Sequence, residues 1–250
     1  MSITRRFFSA ASLGALLAPA GVRAQSAAGT GLAVVELFTS QGCSSCPPAD
    51  ALMGDLAKEP GVLPLTYPVE IWDYLGWKDS LAKPIFTRRQ RAYAAMVAGK
   101  RVYTPQAIIN GRGHCVGSDL AAIAKLKSST AVSPAMRISL VAEGGGWNAQ
   151  LSALPAPAGA RMLLLPFASQ RTVQIGRGEN SGRTVTYTNV IRDIIDLGPV
   201  ERAGQSFRIT HQGVAVDKAD GFALLVQLGG LETPGAVVAA ACVDAAGIKV

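Results

Sequence analysis

The pattern of apolar residues in the first half of the chain predicts strands and helices in alternation. After Gly31 the run "LAVVELF" is short, continuous and rich in β-branched residues, which is typical of a strand buried on both faces. Past a short turn, leucines and alanines in "ADALMGDLAKE" recur at helical spacing. Proline favours the first helical position and disfavours helical geometry in the residue before it. The sequence therefore predicts a helix from Pro47 to about Lys58 with Cys46 as its N-cap.

The alternation continues to about Lys127. Residues 61–69 form a second strand pattern, and residues 70–99 are mostly helical in pattern. The dipeptide Asn110-Gly111 predicts a hairpin between two short strands, and a helix is predicted from Ser118 to Lys127. Strands and helices in this order indicate an α/β layer structure with parallel pairing at its centre.

Beyond a linker at residues 128–134 the pattern changes to short alternating runs separated by Gly, Pro and Asn. These runs are Met136 to Val141, Trp147 to Leu151, Arg161 to Phe167, Thr172 to Ile175, Thr184 to Ile191, Ser206 to Thr210, Phe222 to Leu228 and Val237 to Val243. Their spacing predicts an antiparallel sandwich or barrel, although "NVIRDIIDLG" also fits a helical period. The mature chain therefore divides into an α/β domain, 30–128, and a mostly β, sandwich-like domain, 135–250.

The N-terminus has the order of a secretory signal peptide, 1–24. Basic Arg5 and Arg6 precede a small and apolar run, and Val22-Arg23-Ala24 ends in a small-x-small cleavage site. The adjacent arginines fit the twin-arginine export route, but a basic n-region also acquires such a pair by chance. The apolar run is too short to span a bilayer. We expect a mature protein in the periplasm or secreted, without a membrane span.

Composition and charge bear on whether the protein is globular and whether it binds nucleic acid. The chain has 250 residues, 49% of them hydrophobic, which is enough for a sizeable core. The net charge of +7 falls to +4 once the three arginines of the signal are removed. The densest basic cluster, residues 88–91, has the pattern of a solvated helix face and lacks a nucleic-acid recognition motif. The sequence argues against a nucleic-acid partner.

Cys43 and Cys46 form a Cys-x-x-Cys pair immediately before a predicted helix. A thiol reacts as a thiolate, and the amides and field of a helix N-terminus lower its pKa. Pro47 and Pro48 have no N–H, so fewer amide donors are available there. In such pairs the first cysteine is the nucleophile and the second resolves the mixed disulfide. The spacing therefore favours a catalytic pair, with Cys43 attacking.

Two other roles for the pair compete with catalysis. A secreted protein can hold a structural disulfide, but closing so short a loop removes little entropy from the unfolded chain. A zinc site usually takes four ligands, whereas the chain has only His114, His211 and no second Cys-x-x-Cys. Neither alternative matches the pattern as well as redox chemistry does.

A substrate-binding role is predicted for Thr104 and Pro105. A proline at the start of a short strand, after an alternation that began with Cys-x-x-Cys, resembles the cis-proline of thioredoxin-like proteins, which faces the dithiol. The X-Pro bond has only a small penalty for the cis isomer. The main chain of Thr104 can then pair with an extended substrate segment. The alternative is an ordinary trans proline at a strand edge.

Motifs along most of the mature chain resemble one family. They are "VVELFTSQGCSSCPPAD", "WDYLGWKD", "RQRAY", "VYTPQ", "NGR", "VGSD" and "RGENSGRTVTYTNV". Together they look like the secreted, thioredoxin-like family called domain of unknown function 1223. The resemblance implies a thioredoxin-like first half with Cys43 and Cys46 at the active-site position and Pro105 as the cis-proline. The family usually has His-Val-Asp where this chain has Pro68-Val69-Glu70, so a role of that histidine does not carry over.

Several other residues have two interpretations each. The aromatic cluster of Trp72, Tyr74 and Trp77 can cover a peptide groove or pack a helix onto the core. Asp73 and Glu70 can shuttle protons for Cys46 or simply favour a helix start. Cys115 and Cys242 are either buried thiols or a second disulfide. The loop 177–183 has enough polar groups to bind an anion or partner, but its glycines favour a turn between strands.

The sequence thus predicts a thiol-disulfide oxidoreductase without cofactor or metal. Its catalytic residues are Cys43 and Cys46, its substrate-binding residues are Thr104 and Pro105, and its partners are protein thiols or disulfides and a redox partner. One alternative is a non-catalytic partner-binding module with a redox-responsive or structural disulfide, and another is a copper(I) carrier. The direction of electron flow depends on thiolate stabilisation and does not follow from the motif.

Overall fold

The computed structural model describes residues 32–131, 136–151, 157–202 and 204–249. The predicted signal peptide, 1–24, and part of the predicted linker lie outside these ranges. Four α-helices occur in the described ranges: α1 Pro47–Leu56, α2 Pro84–Val97, α3 Leu120–Ser129 and α4 His211–Val214. The strands there are β1 Ala33–Thr39, β2 Val62–Pro68, β3 Gln106–Ile109, β4 Gly113–Val116, β5 Ile138–Glu143, β6 Gly146–Leu151, β7 Ala160–Gln174, β8 Thr184–Ile191, β9 Ile195–Pro199, β10 Ser206–Thr210, β11 Gly221–Leu228, β12 Val237–Asp244 and β13 Gly247–Lys249.

Most strands join one mixed ten-stranded sheet. Its order is β13-β12-β11-β7-β8-β2-β1-β3-β4, with β9 paired to β7. β1 and β2 are parallel, β2 and β8 are parallel at Thr66 and Val190, and the other pairs are antiparallel. A separate antiparallel sheet has the order β10-β6-β5. Strands from the two halves of the chain therefore meet where β8 lies beside β2.

The predicted fold class is wrong. We expected a thioredoxin-like α/β domain followed by a sandwich-like β domain, whereas the described chain is mostly β with short helices. Hydrophobic periodicity identifies strands but not their partners, and it did not reveal that β8 extends the sheet begun by β1 and β2. The alternative prediction of a helix in "NVIRDIIDLG" is also wrong, because that segment includes the end of β8 and most of β9.

The two ends of the large sheet are covered in different ways. Around β1, α1 packs Ala49, Met53 and Leu56 on one face. The other face contacts aromatic residues of α2, Phe86 and Tyr93. At the other end, β7, β11 and β12 pack against the three-stranded sheet in a second apolar cluster. No helix in the described part of the chain is both long and apolar enough to cross a membrane.

A buried polar cluster joins α2 to both halves of the sheet. On β1, Glu36 accepts hydrogen bonds from Arg89 Nε at 2.7 Å and Arg89 Nη2 at 3.0 Å. Tyr93 donates its hydroxyl to the same carboxylate, and Gln227 of β11 donates to Tyr93 and accepts from Arg89. Arg89 is only 2% exposed. The predicted solvated face is thus correct for Arg88 and Arg91, which are exposed, but wrong for Arg89.

Candidate functional site

Cys43 and Cys46 form a disulfide bond between β1 and α1. Cys46 is the N-cap of α1 and has no side-chain cap bond, since prolines occupy the first helical positions. The Cys46 N–H donates to the Cys43 carbonyl at 3.2 Å, which closes the loop tightly. Cys43 is 5% exposed and Cys46 is 0% exposed, while Ser44 and Ser45 are exposed. Of the two sulfur-bearing residues, Cys43 is therefore the one that reaches the surface.

Thr104 and Pro105 lie beside this loop. The Ser45 hydroxyl is 3.4 Å from Cys43 Sγ and donates to the Thr104 carbonyl at 3.5 Å. The Thr104–Pro105 peptide bond is cis, the isomer that the family resemblance implied. Gly117 approaches Pro105 so closely that a Cβ on Gly117 would lie 3.1 Å from the proline ring. The structure thus brings the four predicted site residues together in one place.

The aromatic cluster divides into two parts with different contacts. Trp72 donates its indole N–H to the Thr104 hydroxyl at 2.7 Å, and its ring lies 6.2 Å from that of Tyr74. Tyr74 is 75% exposed and borders the site. Trp77 instead donates to the Gln41 side chain at 2.8 Å and packs beneath Gly178. Trp72 and Tyr74 are therefore available to a substrate, whereas Trp77 supports the loop before Cys43.

Two buried carboxyl groups lie under the disulfide loop. Asp50 is on α1 one turn after Cys46, and its N–H donates to the Cys46 carbonyl at 3.1 Å. Burial raises the pKa of Asp50 to about 8, the Thr39 hydroxyl opposes this, and the charge of Asp79 adds to it. Burial also raises the pKa of Asp79 to about 6, although the Gln41 and Leu81 N–H groups donate to it. Asp50, whose carboxyl is mostly neutral at physiological pH, therefore lies on the inner face of α1 one turn after Cys46.

The sequence interpretation did not consider Asp50. It considered Asp73 and Glu70, but Asp73 accepts a bond from the Asp79 N–H, and Glu70 donates its own N–H to Thr87. The available signal was the helical period of α1, since buried Ala49, Asp50, Met53 and Leu56 form one stripe. Asp50 is an acidic residue in this apolar stripe, four positions after Cys46, and that position indicated a buried carboxyl near the cysteine pair.

The loop 177–183 from the second half of the chain contacts the disulfide loop directly. Asn180 is 1% exposed and donates through Nδ2 to the Gln41 carbonyl at 3.0 Å and the Cys43 carbonyl at 2.7 Å. Glu179 accepts the Ser44 N–H at 3.3 Å. The sequence analysis gave two interpretations of this segment, a binding loop or a turn. It is a turn that also fixes the main chain on both sides of Cys43.

Cys115 and Cys242 are both free thiols, so the second disulfide considered from sequence does not form. Burial raises the pKa of Cys115 to about 11 and that of Cys242 to about 12, and the carboxylates of Asp119 and Asp244 add to these shifts. Both shifts disfavour the thiolate form at neutral pH. Within the described ranges, no group of three His, Cys, Asp or Glu side chains is arranged to hold a metal ion.

Comparison with known proteins gives a family and two similar structures. A family model described as "Protein of unknown function (DUF1223)" matches residues 34–227. The crystal structure of protein AGR_C_4864 from Agrobacterium tumefaciens is similar, with a TM-score of 0.73, 32% sequence identity, and coverage of 84% of this chain and 92% of that chain. HBP35 of Porphyromonas gingivalis shares only the fold, with a TM-score of 0.55, 11% identity, and coverage of 85% and 74%. None of the curated proteins matches the chain.

Proposed function

Because this chain belongs to the DUF1223 family, whose name assigns no activity, we propose a function from the geometry of its site. The protein is a thiol-disulfide oxidoreductase that exchanges the Cys43–Cys46 disulfide with protein cysteines in the cell envelope. One observation carries this proposal. The disulfide presents Cys43 at the surface beside Thr104 and Pro105, while Cys46 is buried one helical turn from an acid that burial keeps neutral.

The first step is attack on the Cys43 sulfur. A substrate thiolate attacks Cys43 Sγ, the Cys43–Cys46 bond breaks, and Cys46 leaves as a thiolate. This forms a mixed disulfide between the substrate and Cys43. A second substrate thiol loses its proton, attacks the substrate sulfur of that mixed disulfide and releases the Cys43 thiolate. The substrate is oxidised to a disulfide, and the enzyme pair is reduced to two thiols once each sulfur has gained a proton.

Asp50 supplies the proton for the buried leaving group. Helix side chains tilt toward the N-terminus, so Asp50, four positions after Cys46, lies on the same side of the helix start as Cys46. With its pKa raised to about 8 by burial, Asp50 is mostly protonated at pH 7, and in this proposal it is the acid that donates to the Cys46 thiolate. A groove of about 850 Å³ that is partly lined by Asp50, Thr188 and Asn189 lets the acid exchange its proton with solvent.

The substrate segment pairs with the main chain at Thr104. The Thr104 carbonyl accepts a long 3.5 Å bond from Ser45, and a substrate N–H can replace this donor at little cost. The Trp72 indole N–H donates a hydrogen bond to the Thr104 hydroxyl and fixes that side chain. Exposed Tyr74 offers an aromatic surface to the substrate. The signal-like segment 1–24 supports placing this chemistry in the periplasm or outside the cell, where protein disulfides persist.

The reduction potential and the Cys43 thiolate pKa of the mature protein test the proposal, with Cys43→Ser as the inactive control. A potential between about −100 and −270 mV, with a Cys43 pKa below about 8, supports exchange with cellular thiols. A potential below about −300 mV with an unreactive Cys43 contradicts it. The pair is then a structural clip, and the protein is a non-catalytic binding module.

A further inference from the structure

The loop 177–183 is rigid and is seated on the active-site side of the molecule. The Ile175 N–H donates to the Arg183 carbonyl at 2.9 Å, and the Gly182 N–H donates back to Ile175 at 2.8 Å. Gly178 has a φ of 79°, which favours glycine, and a Cβ there would lie 3.3 Å from the Trp77 side chain. The loop therefore presents its tip in one fixed orientation.

At the tip of the loop, Asn180 anchors the main chain, and the preceding residue, Glu179, carries a negative charge. Asn180 is buried and bonds the main chain at Gln41 and Cys43, so the loop cannot move away from the disulfide without losing both bonds. Glu179 is exposed, and its Oε2 atom accepts the Ser44 N–H at 3.3 Å. This places a carboxylate at the residue that follows the surface cysteine.

Glu179 forms no direct ion pair with the arginines beside it. Arg177 and Arg183 flank it in the loop, but neither makes a salt bridge with its carboxylate. Its second carboxylate oxygen, Oε1, makes no hydrogen bond within the described chain. A negative group with a free acceptor therefore borders Cys43, the more exposed cysteine of the disulfide.

We propose that Glu179 is a specificity residue that selects substrate cysteines flanked by lysine or arginine. This inference rests on the proposed exchange activity of Cys43. A polypeptide sulfur bonded to Cys43 brings its neighbouring side chains over Ser44, within reach of the Glu179 carboxylate. A cation there forms an ion pair at the rim of the site, whereas a carboxylate is repelled. The preferred substrate is thus a protein segment with a basic residue next to its cysteine.

Two peptides that differ only in a Lys or a Glu beside one cysteine test the proposal. The readout is the second-order rate constant for exchange with the Cys43–Cys46 disulfide at low salt. The native protein should favour the Lys peptide about two- to tenfold, as expected for an exposed charge pair. Glu179→Gln keeps an oxygen that accepts the Ser44 N–H but removes the charge, so the preference should fall toward one. Glu179→Lys should reverse it, and added salt should weaken it in the native protein.

Glu143→Gln is the matched control, because Glu143 is exposed on β5 of the other sheet. It should leave the preference unchanged. Equal rates for the two peptides, or the same preference in Glu179→Gln and the native protein, overturn this inference and leave the exchange activity standing. Failure of the native protein to exchange with either peptide overturns the proposed function itself.

Discussion

Glu36 and Asp50 are both buried acids near the start of the large sheet, but their surroundings are opposite. Glu36 on β1 is 0% exposed and Asp50 on α1 is 2% exposed. Glu36 faces the guanidinium of Arg89 and the hydroxyl of Tyr93, and burial of this charge is offset by matched partners. Asp50 has no cation, and its Oδ1 atom has no hydrogen-bond partner in the described chain.

The difference distinguishes a buried carboxylate that stabilises the fold through an ion pair from a buried carboxyl that is kept neutral. A buried charge is tolerated when it is paired, and an unpaired carboxyl is kept neutral instead. The Arg89 guanidinium loses hydration on burial, which lowers its pKa, but the Glu36 carboxylate and the neighbouring tyrosines together outweigh this loss, so the pKa of Arg89 is raised and Arg89 stays charged. Burial without a cation raises the pKa of Asp50 to about 8. The first site joins α2 to the sheet, and the second stores a proton beside Cys46.

Replacing Asp50 should give the largest effect, and the effect depends on pH. The folded chain binds a proton at Asp50 up to a pH of about 8, whereas the unfolded chain releases it near 3.8. Between these values the folded state holds more protons, so the free energy of unfolding must fall as the pH rises. Relative to Asp50→Asn, the native protein should lose about 5 kcal/mol between pH 4 and pH 8.

Denaturant unfolding at several pH values measures this difference. Asp55→Asn is the control, because Asp55 lies on the same helix and its side chain is 74% exposed. That control should follow the native protein at every pH. A constant difference between Asp50→Asn and the native protein would show that Asp50 is ionised in the folded state.

Breaking the paired site should cost nearly as much at every pH. Arg89→Met removes the cation and leaves the Glu36 carboxylate buried without its main partner. We expect a loss of about 3–5 kcal/mol in the free energy of unfolding. The neighbouring exposed Arg88 provides the control, since Arg88→Met should change stability by less than about 0.5 kcal/mol. Equal effects of the two substitutions would refute the structural role of the pair.

A smaller effect is expected from Tyr93→Phe. This change removes one hydroxyl that donates to Glu36 and accepts from Gln227, and it keeps the ring and the ion pair. The free energy of unfolding should fall by about 1–2 kcal/mol. Tyr74→Phe, at a position that is 75% exposed, should leave it unchanged. If Tyr93→Phe is as stable as the native protein, the hydroxyl adds nothing to the paired site.

Local features of the structure could be predicted, and long-range ones could not. The start of α1 at Pro47 and the position of Cys46 before it follow from proline chemistry and helical spacing, which act over a few residues. The pairing of β8 with β2 joins residues more than a hundred positions apart, and hydrophobic periodicity contains no information on such pairing. The approach of Asn180 to Cys43 depends on that pairing, so the sequence did not reveal it.

Two buried polar residues, Asp50 and Arg89, lie between these local and long-range features. Asp50 belongs to the buried stripe of α1, but the leucines dominated the pattern, and one of them, Leu52, is only half-buried. Arg89 was hidden in a run of basic residues, although it follows Phe86 by three positions on the buried face of α2. In both helices a polar residue on the inner face was the informative exception to the apolar pattern.

The most direct test of the account is the rate at which dithiothreitol reduces Cys43–Cys46 between pH 6 and pH 9, in the native protein and in Asp50→Asn. Rates are corrected for the thiolate fraction of the reductant. If Asp50 protonates the Cys46 leaving group, the native rate should fall above a pH of about 8, where Asp50 loses its proton. Asp50→Asn should be at least about tenfold slower at pH 7 and independent of pH. Identical corrected rates and pH profiles in the two proteins would contradict the role of Asp50 as the proton donor of the disulfide site.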